Sequence, residues 1–177
     1  MTSDIRNYNL VSKLFHWGSA VLILGMIVVG LMMEDMEGPE KFELMGLHKS
    51  FGALLLFIVI ARILNRFLNP VDDLPEMTAK NIKLAKMGHG LLYLCMLIMP
   101  ISGILMSQSG GHAVSMFGWE LPTLVGKEHD FHEFTEGVHG VTANVLILLI
   151  LGHAGAAIYH HIFMKDRTLL RMGLRKL

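Results

Sequence analysis

Long stretches without a formal charge constrain this chain more than any other feature. The stretches that contain no Asp, Glu, Lys or Arg are 14–33, 87–119 and 137–164. A fourth apolar segment, 47–67, is interrupted by Lys49 and Arg62 and has Arg66 next to its end. A helix of about 20 residues, rising about 1.5 Å per residue, crosses the roughly 30 Å hydrocarbon core of a bilayer. We therefore expect a multi-pass membrane protein.

The predicted architecture is an all-α integral membrane four-helix bundle, a single domain over 1–177. The four helices are expected at about 10–34, 46–68, 83–107 and 135–164. The first stretch is followed by Glu-Asp-Met-Glu rather than by a small-residue cleavage site, so we expect it to be retained as a helix.

Basic and acidic residues are segregated along the chain, although the net charge is zero. Lys and Arg residues lie mainly near the two termini, for example Arg6, Arg175 and Lys176, or around the connection between the second and third helices. The exceptions are Lys41, Lys49 and Lys127. The other two connections carry the acids Glu34, Asp35, Glu37, Glu40, Glu43, Glu120, Glu128, Asp130, Glu133 and Glu136. Since basic residues favour the cytoplasmic side, we expect both termini to be cytoplasmic in a bacterial inner membrane.

Four histidines fall at two matching depths in the predicted helices. His48 and His139 are at the outer ends of the second and fourth helices, whereas His16 and His153 lie deeper. The 14 residues from His139 to His153 correspond to about 21 Å and almost four turns, so both rings leave the same helical face. The spacing predicts two stacked sites, each built by two facing helices.

Two imidazoles from opposing helices are a natural axial ligand pair for haem iron, and the flat apolar ring suits a bundle core. Small residues follow each histidine, as in His16-Trp-Gly-Ser-Ala and His153-Ala-Gly-Ala-Ala, and leave room for a porphyrin. The absence of Cys-x-x-Cys-His excludes covalent c-type attachment. Two haem b groups are therefore the predicted cofactors. The alternatives are histidines that only pack against neighbouring helices, or a zinc site, which would need four close ligands.

Two further residues share the inner level, and a third, His160, lies one or two turns nearer the cytoplasm. His89, Arg62 and His160 are candidates for binding a quinone or the haem propionates, or for moving protons, and counting residues does not decide which of the inner histidines are ligands. The alternative is a set of interfacial histidines with one snorkelling arginine. Outside the membrane, 129–133 contains two histidines and two acids, either metal ligands or a solvated acidic face.

Several short motifs together resemble the bacterial cytochrome b561 family in its four-helix form, over essentially the whole chain. They are Leu-Phe-His16-Trp, Leu-His48-Lys-Ser-Phe-Gly, Gly-His89, the pair His139 and His153, His160-His161 and the closing Lys165-Asp-Arg-Thr-Leu-Leu-Arg-Met. The resemblance implies His16 with His153 at an inner haem and His48 with His139 at an outer haem. Family members pass electrons between quinone and a redox partner, and one type is similar to a superoxide oxidase that delivers electrons to ubiquinone.

The expected function is electron transfer between the quinone pool, with ubiquinone as acceptor or donor, and a periplasmic donor or acceptor. The protein would then be a quinone-linked oxidoreductase, and superoxide:ubiquinone oxidoreduction would be one such activity. The acidic outer face favours a basic periplasmic redox protein over the superoxide anion, unless Lys49 provides a local positive entry. Membrane lipid is the other expected partner, and nucleic acid is not. The alternatives are an anchoring cytochrome b subunit of a soluble oxidoreductase, and a haem-free channel or transporter.

Overall fold

The computed structural model describes residues 7–173, so Arg6, Arg175 and Lys176 lie outside the described part. Its long helices are α1 (Leu10–Glu34), α2 (Pro39–Leu68), α3 (Ala79–Ser109) and α4 (His129–Tyr159). A π-helical turn over His160–Met164 continues α4, and a 3-10 turn covers Leu170–Met172. All four long helices have the length and apolar composition needed to cross a membrane. The predicted all-α membrane bundle is confirmed.

Helices α2 and α4 begin well before the apolar stretches predict, and α3 begins slightly early, at Ala79 rather than at 83. Helix α2 starts at Pro39 rather than at 46, and α4 starts at His129 rather than at 135. Proline is favoured at the first helical position, because its missing N–H would have no partner there. The Glu128 carboxylate caps α4 by accepting hydrogen bonds from the amides of Asp130 and Phe131, at 3.0 and 2.5 Å. Polar first turns therefore extend both helices beyond their apolar segments.

The four helices run up and down in sequence, with α1 against α2, α2 against α3 and α3 against α4. The buried core lies at mid-height and consists of Ile23, Leu55, Val59, Cys95, Met96 and Leu146. Many large apolar side chains point outwards instead, for example Val21 and Leu148, which are 71% and 69% exposed. Such an apolar exterior is suited to lipid, because lipid tails solvate it as well as a protein core does.

The two ends of the bundle differ in charge. We call the end where α1 and α3 begin and α2 and α4 finish the basic end. Its basic residues in the described part of the chain are Lys13, Arg62, Arg66, Lys80, Lys83, Lys86, Lys165, Arg167 and Arg171. We call the opposite end, with the connections 35–38 and 110–128, the acidic end.

A short hairpin covers part of the acidic end. Strands β1 (Ser115–Met116) and β2 (Trp119–Glu120) pair antiparallel across a tight turn in which Phe117 and Gly118 both have positive φ, 51° and 89°. The Ser50 hydroxyl donates to the Ser115 carbonyl at 3.0 Å, and the rings of Phe51 and Phe117 are 5.0 Å apart. The hairpin is thereby fastened to α2 at Ser50 and Phe51, next to His48.

Candidate functional site

The acidic half of the bundle encloses an apolar cavity between two histidines. His48 of α2 and His139 of α4 face each other with ring centres 6.4 Å apart. Both rings line a cavity of about 290 Å³, whose other walls come from all four helices, for example Ile23, Leu55 and Leu146. The structure therefore brings together the two histidines that were predicted at the outer level.

The ring of His139 is fixed by its neighbours on α3. Its Nδ1 lies 3.0 Å from the Met99 carbonyl and 3.2 Å from the Ser102 hydroxyl. Since a carbonyl oxygen can only accept, Nδ1 carries the proton and donates it, which leaves the lone pair of Nε2 available for a metal. Gly103 makes this approach possible, because a Cβ there would lie 3.0 Å from the Cε1 atom of His139.

His48 has fewer polar contacts. Its Nδ1 atom is buried and has no hydrogen-bond partner within residues 7–173. Gly30 of α1 lies beside the ring, where an added Cβ would be 3.7 Å from Cε1, an ordinary contact distance. An imidazole nitrogen without a partner in an apolar cavity is costly. Coordination of a haem iron would satisfy one nitrogen of this ring.

A second cluster lies towards the basic end and draws on all four helices. The ring centre of His153 is 6.1 Å from that of His16 and 5.4 Å from that of His89. Arg62 donates from Nη1 to the Ser19 hydroxyl at 2.6 Å, and its Nη2 lies 2.9 Å from Nδ1 of His16. The residues predicted at the inner level, apart from His160, therefore form one cluster.

Ring separations discriminate between the ligand pairs. A metal bound by both rings needs centres about 6 Å apart, since each metal–nitrogen bond is about 2.0–2.1 Å and the ring centre lies about 1 Å behind the nitrogen. The separations His48–His139 and His16–His153 meet this requirement, at 6.4 and 6.1 Å. The 5.4 Å between His89 and His153 is shorter than the requirement. The residues present therefore fit two bis-histidine haem sites.

Arg62 adds one condition to the inner site. A guanidinium only donates, so Nδ1 of His16 accepts in this arrangement and the proton is on Nε2. Coordination through Nε2 requires the proton on Nδ1, and Arg62 must then turn to another acceptor. A haem propionate is an acceptor of the right charge.

His160 pairs with an acid that residue counting did not indicate. It is hydrogen-bonded through Nδ1 to the Asp166 carboxylate, and the two side chains are only 15% and 9% exposed. Burial raises the pKa of Asp166, but hydrogen bonds from Thr168 and His160 outweigh it and hold that pKa below its usual value. The sequence reasoning missed Asp166; its only signal was an acid six residues after a histidine, beyond the last apolar stretch.

The other histidines at the acidic end, which do not line the cavity, make contacts that support the fold. Nδ1 of His132 lies 2.8 Å from the Met106 carbonyl, which ties α4 to α3, and His129 forms an exposed 3.5 Å pair with Glu133. His112 is exposed, and its carbonyl accepts a hydrogen bond from Ser107. Within 7–173, no group of three or more His, Cys, Asp or Glu side chains is arranged to hold a metal ion.

Comparison with known proteins agrees with the geometry of the bundle. The model of the prokaryotic cytochrome b561 family matches residues 7–174. Cytochrome b561 homolog 2 of Escherichia coli (strain K12) is 33% identical over 175 residues, covering 97% of this chain and 93% of the relative. The probable superoxide oxidase CybB of Yersinia pestis is 28% identical, covering 97% and 98%. Cytochrome b562 of Cereibacter sphaeroides is 30% identical, covering 93% and 94%. The chain is therefore a member of the prokaryotic cytochrome b561 family, a multi-pass membrane protein of electron transport that uses b-type haem.

Proposed function

We propose that the protein holds two b-type haems and carries electrons between membrane quinone and a redox partner at the acidic end. The outer haem is bound by His48 and His139, and the inner haem by His16 and His153. The observation that supports this assignment most strongly is the pair of ring separations, 6.4 and 6.1 Å, in two clusters at different depths. Family membership argues against the haem-free channel or transporter.

The bound haems supply one-electron chemistry at iron, and the protein supplies ligands, spacing and a dry environment. His139 presents Nε2 because Met99 and Ser102 hold its Nδ1. Apolar side chains line most of the cavity at the outer site and disfavour water there. The 14-residue step between His139 and His153 places the two ligand levels about 21 Å apart along α4.

The quinone site is proposed at the basic end, beside the inner cluster. Quinone takes up protons as it is reduced, and His89 is an ionisable group within 5.4 Å of His153. Arg62 is the cation of the same cluster. His160, paired with Asp166, is the second protonatable group at this end. Ubiquinone is the proposed acceptor or donor, and the basic end is proposed to face the cytoplasm of a bacterial inner membrane.

The partner at the acidic end is proposed to be a basic periplasmic redox protein. Ten carboxylates surround this end against Lys41, Lys49 and Lys127, and such a field attracts a cationic protein and repels an anion on average. Superoxide is the second candidate, because one relative is named a probable superoxide oxidase and Lys49 lines the cavity beside His48. With superoxide, the protein would act as a superoxide:ubiquinone oxidoreductase.

The function can be tested with purified protein in lipid nanodiscs, by following haem absorbance after a ubiquinol analogue is added. We expect ubiquinol to reduce both haems of the wild type. His48→Ala should retain a reducible inner haem, whereas His16→Ala should prevent reduction of the remaining outer haem. Failure of ubiquinol to reduce either haem, together with failure of ubiquinone to oxidise the reduced haems, would contradict the quinone role. A soluble oxidoreductase that copurifies in a one-to-one ratio would favour the anchoring-subunit alternative.

A further inference from the structure

Two arginines of α2 share a small polar pocket at the basic end. Arg62 and Arg66 lie one helical turn apart, and each guanidinium covers an aromatic ring: Arg62 lies 5.4 Å from the Tyr93 ring centre and Arg66 5.7 Å from that of Tyr8. The pocket has a volume of about 20 Å³ and is completed by Ser12, Asn65 and Met172. A water needs about 10–15 Å³ measured in this way, so the pocket accommodates one small polar group.

The positive charge of this pocket has no counterion in the described part of the chain. Within residues 7–173, neither Arg62 nor Arg66 forms an ion pair. Arg62 has only neutral partners, Ser19 and His16. Nη1 of Arg66 is buried and has no hydrogen-bond partner in the same part of the chain. Two like charges one turn apart repel each other, and a buried donor without an acceptor is costly. The pocket is therefore suited to an anionic oxygen.

We propose that this pocket binds a carboxylate, namely a propionate of the inner haem, an inference that rests on the two-haem function proposed above. Arg62 connects the two sites, since the same guanidinium lines the pocket and contacts His16. Haem b carries two propionates, and Arg62 and Arg66 provide two compensating charges in a region of low dielectric. The planar guanidinium fork also matches a carboxylate in a bidentate manner.

An anionic lipid phosphate has similar oxyanion chemistry, but the surroundings of the pocket favour a group that arrives from inside. Met172 lines the pocket, and its segment is tied to α1 by two hydrogen bonds. Trp17 donates from Nε1 to the Met172 carbonyl at 3.0 Å, and Lys13 donates from Nζ to the Gly173 carbonyl at 2.6 Å. The tethered segment therefore forms one wall of the pocket, whereas Arg62 joins the pocket to His16 and the inner site.

The test is the Arg66→Gln variant, compared with Lys83→Gln. Lys83 is an exposed cation at the same end of the bundle and does not line the pocket. Each variant is titrated with redox mediators in nanodiscs of phosphatidylcholine, with and without phosphatidylglycerol, and haem loss to apomyoglobin is timed.

Loss of the Arg66 charge leaves a propionate uncompensated, which stabilises ferric haem. We expect a lower midpoint potential of the inner haem in both lipid mixtures, and about tenfold faster loss of that haem, as for one charged hydrogen bond. Lys83→Gln should change neither quantity.

The contrary outcomes are distinct. If Arg66→Gln keeps two haems and matches Lys83→Gln in potential and haem loss, the pocket does not bind a propionate. If the effect occurs only with phosphatidylglycerol, the ligand is a lipid phosphate and the inference is wrong. One haem per chain in the wild type contradicts the proposed function itself, and this inference with it. If Arg66→Gln cannot be prepared with haem, Arg66→Lys replaces it. The lysine keeps the charge and loses the fork, so unchanged haem loss in that variant also overturns the inference.

Discussion

Gly103 allows a sharp test of the outer haem site, because it touches only one of the two proposed ligands. In Gly103→Ala the new methyl carbon would lie 3.0 Å from Cε1 and 3.3 Å from Nδ1 of His139. Ordinary carbon–carbon contacts are about 3.5–4.0 Å, so the ring must move by about 0.5 Å. A coordinated His139 cannot move freely, since its Nδ1 is held at 3.0 Å by the Met99 carbonyl.

The expected effect of Gly103→Ala on haem binding follows from the cost of overpacking, which is about 1–3 kcal/mol. Without haem the ring can swing away, so this strain falls mainly on the haem-bound state. The expected loss of outer-haem affinity is about 5- to 150-fold. Alanine is a better helix former than glycine by about 1 kcal/mol, so the substitution should not unfold α3. Loss of haem would therefore report the local contact with His139.

The assay is the rate of outer-haem loss to apomyoglobin, and the matched control is Gly30→Ala. An alanine methyl at position 30 meets Cε1 of His48 at 3.7 Å, an ordinary contact, so this variant should release haem at the wild-type rate. The inner-haem spectrum should be unchanged in both variants. Equal haem loss from Gly103→Ala and Gly30→Ala would refute the argument that His139 is pinned between a haem and Met99.

Four further predictions concern the inner level and the ends of the bundle. His16→Ala or His153→Ala should remove the inner haem and leave the outer spectrum nearly intact, which optical redox titration would reveal. His89→Ala should keep both haem spectra and slow ubiquinone reduction in stopped flow; unchanged kinetics would remove His89 from the quinone site. Hydrogen bonds lower the pKa of Asp166 in the folded protein. They therefore stabilise the fold at pH values above the usual carboxyl pKa of Asp, and this stability is lost as the pH falls from that value through the lowered pKa. Asp166→Asn should therefore weaken the acid dependence of unfolding, measured by denaturant titration between pH 5 and 3. Reduction of the haems by a basic cytochrome c should slow steeply as salt is added, because the Debye length falls from about 30 Å at 0.01 M to about 8 Å at 0.15 M. A rate of haem reduction that is independent of salt would contradict the role of the acidic end.

The sequence predicts the bundle well because spanning a membrane is a simple physical requirement. Uncharged stretches of sufficient length indicate helices, and counting residues along them gives depth. Depth counting pairs His48 with His139, and the structure places those rings on the wall of one cavity, with centres 6.4 Å apart. It also puts His89 at the level of His153, where the structure places it. Depth does not give helix rotation, however, so the choice between His16 and His89 needs the ring separations.

Other features depend on interactions that no periodicity encodes. The early start of α4 depends on the Glu128 side chain reaching two backbone amides. The pairing of His160 with Asp166 depends on how the chain turns after the membrane, where Lys165 takes a left-handed conformation with φ of 52°. The pocket at Arg66 forms only when the C-terminal segment folds back and places Met172 beside Tyr8. Each contact joins residues whose proximity is decided by the folded backbone.

The central claim is that two bis-histidine haems are stacked in one bundle, and a combined haem count and low-temperature electron paramagnetic resonance spectrum tests it most directly. The pyridine haemochrome of fully loaded protein should give two haems per chain, all extractable by acid acetone. The ferric protein should show only low-spin signals, because each iron has two imidazole ligands. One haem per chain, or a high-spin ferric signal from either haem in the intact protein, would contradict the pairing of His16 with His153 and of His48 with His139.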